Sequence, residues 1–403
     1  MNKKKVVSLG LAVAILITSL FKASDTSLAE TPANFVQVNG QNIELPNLEV
    51  DLPSLDDHLQ LRQELLEHVP TAYTETIHFP AHFANEGTSY LERTRQRLEL
   101  TGLSLDFLES LSQEQLEVIA MSSQASVQHS YFQEVGNDEN SELAPISRAS
   151  FQEYSQNAKT PSEIADYIVE QIQVGDYVDI DPLGIDTGWR AHHVGHGVVH
   201  IITVMFHQPF GNAPGRYVAA AEFMWSNMPS HRGTDFFALG RGSGLSVLEN
   251  GSFSGFTQQR EYRRRLTAYV NFIHHNSFGT THHPSIAQHN ELGTINQGAG
   301  IRVNQRGDIL PPFTMVAGST FMMSQFYGLR GGVTYIGTLS SFSPGEVQTR
   351  THYVSYLHQI GTSWFGSPTL SVGASGLSFS ISASPSANFA HPVQNNLSVT
   401  WRS

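Results

Sequence analysis

Apolar residues along this chain change their spacing once, near residue 173. Before that point the pattern is mainly helical. Ser54 precedes a run with Leu55, Leu59, Leu65, Leu66 and Val69, ended by Pro70. Ser89 with Glu92 and Ser112 with Gln115 have the spacing of reciprocal N-terminal caps, and the first predicts a helix that stops at Thr101-Gly102. Thr160, Pro161 and Glu163 combine an N-cap, a first-turn proline and a reciprocal acid, after which Ile164, Ile168 and Ile172 recur every fourth residue. One β segment interrupts: SVQHSYFQEV at 126–135 places Val127, Tyr131 and Val135 on one parity, and the polar loop GNDENSELAP closes it.

Beyond Val174-Gly175 glycine and serine rise and period-two alternation dominates. Tyr217, Ala219, Ala221, Phe223 and Trp225 share one parity; Leu266, Ala268, Val270 and Phe272 share another, as do Val354, Tyr356 and Ile360. Near the end, GLSFSISAS sets Leu377, Phe379 and Ile381 against Ser378, Ser380 and Ser382. Short strands between Gly, Pro and Asn turns predict an antiparallel sandwich or barrel, not βαβ units. The expected fold class is α+β. A mainly helical region with one β segment at 51–172 is followed by a predominantly antiparallel, β-sandwich-like domain at 173–403.

The first residues change the picture of where this fold works. Lys3, Lys4 and Lys5 precede an apolar run from Val6 to Phe21, and Ser27-Leu28-Ala29 fits a cleavage site. Residues 1–29 therefore read as a signal peptide cleaved after Ala29, with retention as an uncleaved anchor the competing reading. Residues 30–50 read as an extended lead-in. The apolar run is short for a membrane span and has no counterpart downstream, so the mature chain is expected to hold no stable transmembrane segment. Cysteine is absent, which excludes thiol catalysis, disulfide staples and thiolate metal sites in one step.

Net charge is −13; removal of residues 1–29 leaves 19 Lys and Arg against 35 Asp and Glu, with Lys159 the one lysine. Such acidity argues against nucleic acid as a partner. Guanidinium keeps its charge at pH values where a lysine ammonium loses it, so an acidic chain that uses Arg and almost no Lys fits an alkaline medium; compositional drift explains it equally well.

Candidate chemistry starts with AHHVGHGVVH at 191–200. On a helix, His192, His196 and His200 would lie about 6 Å apart in sequence and suit one zinc ion. Gly195, Gly197 and the β-branched run Val198–Val204 instead predict a strand, where residues four apart are separated by about 13 Å and cannot share an ion. His196 and His200 remain the candidates for a metal, provided that one of them meets a partner from another strand; His231, His274, His275, His282, His283 and His289 are available.

The same region loosely resembles the permuted papain-like peptidases and amidases, with Gly175, Asp176 and His193 or His196 at matching positions. The nucleophilic cysteine that this resemblance requires is missing, and no Gly-x-Ser-x-Gly elbow, His-Glu-x-x-His or complete phosphate loop replaces it. Acids at Glu222, Asp235 and Glu249 leave paired-carboxylate chemistry open.

The most distinctive block, residues 223–255, carries Trp225, Met228, Pro229, His231, Arg232 and Asp235, and a structural account has Arg232 and Asp235 bridging a turn after Pro229. Together with Tyr356, His358 and Gln359 and the serine-alternating end, this block resembles a group of uncharacterised exported Gram-positive bacterial proteins. The resemblance spans roughly 110–403; it implies a secreted β-rich fold and no activity.

Arg260, Arg263, Arg264 and Arg265 form a cationic cluster that suits an anionic partner, a cell-wall polymer or lipid head groups, unless neighbouring acids neutralise it. The alternation of 369–384 reads either as a sandwich strand with a solvated face or as an amphipathic hairpin able to line a membrane barrel. The function expected is that of a secreted, non-enzymatic extracellular or cell-wall-associated binding protein without a cofactor. Its ligand residues are expected among Trp225, Arg232, Asp235, Tyr356, His358 and Trp364, with the aromatic and Arg side chains exposed. The alternatives are an extracellular hydrolase using His and carboxylates, and a β-hairpin membrane-active protein.

Overall fold

Two mainly antiparallel sheets face each other because strands on both sides present large apolar residues at every second position. A computed structural model describes residues 34–38, 41–45, 47–50, 72–79, 89–136, 142–175, 196–207, 215–229, 232–242, 244–248, 253–287, 298–339, 347–359, 366–373, 376–383 and 393–402. The signal segment, the run from Ser54 to Val69, and His192, His193, His231, His289, Glu249, Ile360 and Trp364 lie outside the described residues.

In chain order the strands are β1 (Asn34–Val38), β2 (Gln41–Leu45), β3 (Asn47–Val50), β4 (Ala72–His78), β5 (Gln124–Val135), β6 (Glu142–Pro145), β7 (Gln173–Gly175), β8 (Val198–His207), β9 (Arg216–Asn227) and β10 (Thr234–Arg241). There follow β11 (Leu245–Val247), β12 (Phe253–Tyr269), β13 (Phe272–Ala287), β14 (Gly298–Asn304), β15 (Thr314–Val316), β16 (Thr320–Leu339), β17 (Val347–Leu357), β18 (Gly366–Gly373), β19 (Gly376–Ala383) and β20 (Val393–Arg402). The helices are α1 (Tyr90–Thr101), α2 (Phe107–Ser110), α3 (Gln113–Met121), α4 (Arg148–Asn157) and α5 (Pro161–Gln171).

The larger sheet runs β13-β12-β16-β9-β8-β5-β4-β3, with β11 beside β16 and β6 beside β5; the smaller runs β14-β10-β17-β20-β1-β2. Between them lies a core built from Ile201, Phe223 and Tyr335 of the larger sheet and Phe237, Ile301, Val354 and Leu397 of the smaller. The expected parity of β9 holds: Tyr217, Ala219, Ala221, Phe223 and Trp225 all point into this core. Val218 and Ala220, the other parity, pack under the helices with Leu98, Phe107 and Ile119. A central strand covered on both faces therefore needs apolar residues at nearly every position.

The reciprocal caps at Ser112 and Thr160 form as read, whereas at Ser89 only the forward half forms. Ser89 Oγ accepts the Glu92 amide and Gly102 ends α1 with φ 80°, while Ser112–Gln115 and Thr160–Glu163 form reciprocal capping boxes at α3 and α5. The β-rich, mostly antiparallel class is what the alternation predicts. A separate helical N-terminal region is not what forms. β5, residues 124–135, pairs with β4 on one side and with β8, residues 198–207, on the other. The sheet thus runs across residue 173, and residues 33–403 form one compact unit. Interstrand hydrogen bonds, which the spacing of residues along one segment does not reveal, weld these parts together.

Candidate functional site

At one end of the inter-sheet core, the interior parity carries polar residues. Asp235 follows the parity of Phe237 and Leu239 on β10, His358 that of Val354 and Tyr356 on β17, and Glu134 that of Phe132 on β5, so all three are directed between the sheets. Asp235 is 0% exposed and His358 1%. Burial without partners would cost several kcal/mol per charge, so the geometry must compensate.

Asp235 does so through four donors. Tyr356 Oη donates to Oδ2, and Gln305 Nε2 donates to the same oxygen at 2.5 Å. His358 Nδ1 and the Gln359 amide each lie 3.0 Å from Oδ1. Trp225 Nε1 donates to Tyr356 Oη at 2.8 Å, and Glu134 Oε1 lies 3.7 Å from His358 Nε2. Burial alone would push the imidazolium down, but Asp235 and then Glu134 outweigh it and hold His358 at about 10. Tyr356 is raised well above the ordinary phenol value, first by burial and then by Asp235.

Four of the sequence candidates, Trp225, Asp235, Tyr356 and His358, therefore converge. They do so as a buried network, not as an exposed ligand surface. Trp225 is 1% exposed and Tyr356 0%, because strand parity turns both inward. An imidazolium clamped between two carboxylates with no reach to solvent also lacks the access that hydrolysis by His and carboxylate needs. Arg232 pairs with Asp308 at 2.5 Å, while Asp235 turns inward to its four donors.

That network supports a wall. Gln305, which binds Asp235, lines a groove of about 830 Å³ between the base of the β12–β13 hairpin and the end of β14. Arg306 N donates to Gln259 Oε1 at 3.1 Å, and Thr234 Oγ1 donates to Asn304 Oδ1 at 3.2 Å. Asp308 accepts both Arg232 and the Phe326 amide. The segment 304–308 is thus fixed from β10, β12 and β16. Arg302, Arg306, His282 and His283 line the groove with Gln258, Gln259 and Asn304, and among the described residues no Asp or Glu lines it. His283 also pairs with Glu261 at 2.7 Å. No local motif marked Arg302, Gln305 or Arg306; only the approach of β14 to the hairpin base assembles them.

The arginine cluster is divided by alternation. Arg264 is buried and pairs with Asp166 of α5, with Tyr262 Oη at 2.9 Å and Ser162 Oγ at 3.0 Å beside it. Arg263 and Arg265 are exposed on the opposite face, and Arg260 is half-buried on the face of Arg264. A four-residue anionic footprint is therefore not presented as one patch.

The histidine strand resolves in a similar way. His200 on β8 meets His129 on β5, Nε2 to Nδ1 at 3.1 Å, and His129 Nε2 lies 3.2 Å from Glu75 Oε1. Tyr131 stacks on His200 and Tyr73 on His129. The cross-strand partner is His129, which is none of the later histidines available to this strand. His196 stands apart, its carbonyl accepting Asn227 Nδ2 at 2.9 Å. Among the described residues no group of three or more His, Asp or Glu side chains is arranged to hold a metal ion. Gly197 is required by packing: a Cβ there would lie 2.6 Å from the Trp225 ring and 2.7 Å from Pro229 Cα.

No family model and no curated protein matches the chain. Among solved structures, Clostridium perfringens delta-toxin aligns over 51% of this chain and 84% of its own at 8% identity, with a TM-score of 0.18. The membrane-inserted form of the Clostridium perfringens NetB toxin aligns over 52% and 92% at 6% identity, with a TM-score of 0.17. Scores this low carry no argument about activity.

Proposed function

We propose that the protein is a secreted, non-enzymatic binding protein whose ligand is an anionic, hydroxyl-rich polymer seated in the groove. One observation carries this: in a chain of charge −13, the groove gathers Arg302, Arg306, His282 and His283 with amide side chains and, among the described residues, no lining acid. Guanidinium groups pair with phosphate or carboxylate, and the amides of Gln258 and Asn304 offer hydrogen bonds to hydroxyls. Export rests on residues 1–29 and on the resemblance to exported Gram-positive proteins. The test is retention of the purified protein on a poly(glycerol phosphate) column, on an acidic polysaccharide and on neutral dextran. Salt-sensitive binding to the first or second, reduced about tenfold in the Arg302→Gln/Arg306→Gln variant, supports the reading, and shows which anion is preferred. Equal binding to dextran, or none to either polyanion, overturns it.

A second reading is favoured by a separate observation. The β18–β19 register pairs Leu370 with Phe379 and Val372 with Leu377, and alternately Thr369 with Ser380 and Ser371 with Ser378. No Asp, Glu, Lys or Arg occurs between Arg350 and Arg402. An uncharged hairpin with segregated apolar and hydroxyl positions suits the wall of a membrane barrel. Dye release from anionic liposomes tests it; intact liposomes at micromolar protein exclude it.

A further inference from the structure

The far end of the β12–β13 hairpin has a chemistry opposite to that of the groove. Its turn, Tyr269-Val270-Asn271-Phe272, exposes three large apolar side chains: Tyr269 at 48%, Val270 at 76% and Phe272 at 58%. Tyr269 and Phe272 stack with ring centroids 4.8 Å apart, which presents one aromatic surface. Behind it, Val169 of α5 and Ile172 and Val174 after it, with Val270, Asn271, Phe272 and Ile273, line a hollow of about 370 Å³. Leu266 and Ala268 face α5 and are buried, so the alternate residues Arg263, Arg265 and Tyr269 lie on the opposite face of the hairpin. Arg263 and Arg265 are exposed there, and the two strands contain a single acid, Glu261. Glu261 lies behind the arginines, 2.7 Å from His283 and 3.8 Å from Arg263.

We propose that this tip is a membrane-interface anchor that docks on an anionic bilayer. Val270 and Phe272 enter the boundary between head groups and acyl chains, and Tyr269 sits at head-group level, where amphipathic aromatic rings are favoured. Arg265 is four strand residues back from Tyr269, about 13 Å, so its guanidinium reaches the anionic head groups when the tip is buried. Charge complementarity selects the bilayer over a second copy of this chain, whose overall charge is negative but whose corresponding tip is cationic and apolar. This docking is independent of the groove, which lies at the other end of the same hairpin.

Co-sedimentation of the purified protein with vesicles tests it, using phosphatidylcholine alone and phosphatidylcholine with one quarter phosphatidylglycerol. Binding is expected on the mixed vesicles, weaker by tenfold or more on phosphatidylcholine alone. Val270→Asp/Phe272→Asp is expected to lower the partition coefficient at least tenfold, and Arg263→Gln/Arg265→Gln to lower it about tenfold on the mixed vesicles only. All four positions are exposed, so the thermal midpoint should be unchanged. Equal binding to both vesicle types, or binding that survives Val270→Asp/Phe272→Asp, overturns the proposal. A tip variant that alters only self-association also overturns it and assigns the tip to contacts between copies. Polymer retention in the tip variants is unchanged under either result, which keeps failure here separate from failure of the groove.

Discussion

His200 Nε2 and His129 Nδ1 lie 3.1 Å apart across the β5–β8 pair, in a stack that runs from Tyr73 through both imidazoles to Tyr131. The relationship joins a residue of the histidine-rich strand to one 71 positions earlier, and passes on to Glu75, 1% exposed. Replacing His129 with Leu removes the imidazole on which Glu75 Oε1 rests and is expected to cost about 2–3 kcal/mol. His200→Phe keeps the stack on Tyr131 and should cost about 1 kcal/mol. Urea midpoints of the two variants check the order; a larger loss for His200→Phe contradicts it. Zinc should leave the wild-type thermal midpoint unchanged, because the pair offers two nitrogens and, among the described residues, no third ligand joins them.

His358 sets an alkaline limit. Its folded pKa, about 10, lies above the ordinary histidine value of about 6.5. Below that ordinary value both states hold the proton and the contribution is complete. As pH rises towards 10 the unfolded chain releases the proton first, and the stabilisation is lost. Stability should therefore fall between pH 6.5 and 10 in wild type. Asp235→Asn should be less stable at pH 6, by about 2–4 kcal/mol, and show a flatter profile. Denaturant unfolding at pH 6, 8 and 9.5 decides. The arginine-rich composition suggested a chain suited to alkaline medium, and these data test that too: a steep wild-type loss below pH 9 rules it out.

Glu222 also makes stability fall as pH rises, but over a lower range and because of burial. Burial raises its carboxyl to about 7, against the pull of the Ser104 amide at 2.7 Å and the charge of Arg330. Below pH 4.5 both states are protonated; between 4.5 and 7 the unfolded chain ionises first, so stability falls, and above 7 the penalty is constant. Glu222→Gln keeps an acceptor for Ser104 N–H. It should remove that slope and stabilise the protein at pH 8 by about 1–3 kcal/mol. An unchanged slope from pH 4.5 to 7 would show that another group carries it.

Two further histidines should make the fold sensitive to acid. His207 is lowered to about 3 by burial and then by His78, and His352, held by Tyr335 Oη at 2.8 Å, to about 3 by burial. The unfolded chain takes up these protons from about pH 6.5 downward while the folded chain resists, so stability falls as pH drops from 6.5 to 3. His207→Gln retains a polar partner for Gln124, 3.1 Å away, and should reduce the slope of stability against pH by up to one proton. Equal acid midpoints for variant and wild type would refute the assignment.

Local chemistry in the chain determined much of this protein. Side-chain caps marked the starts of α1, α3 and α5, because Ser89, Ser112 and Thr160 act on amides three residues away. Alternation marked β5 and β9, and the β-branched run after Gly197 identified β8 as a strand, which ruled out a helical zinc ladder. The block around Trp225 and Asp235 and the element around Tyr356 and His358 stood out by composition, but their meeting did not. Asp235 and Tyr356 are 121 residues apart and touch because β10 pairs with β17 and their parity points inward. Which polar residues are buried, which arginines of 260–265 face solvent, and that the early strands share a sheet with the late ones are all consequences of register. Register is settled by interstrand hydrogen bonds and by the burial of one face against another, and neither is present until the tertiary structure has formed.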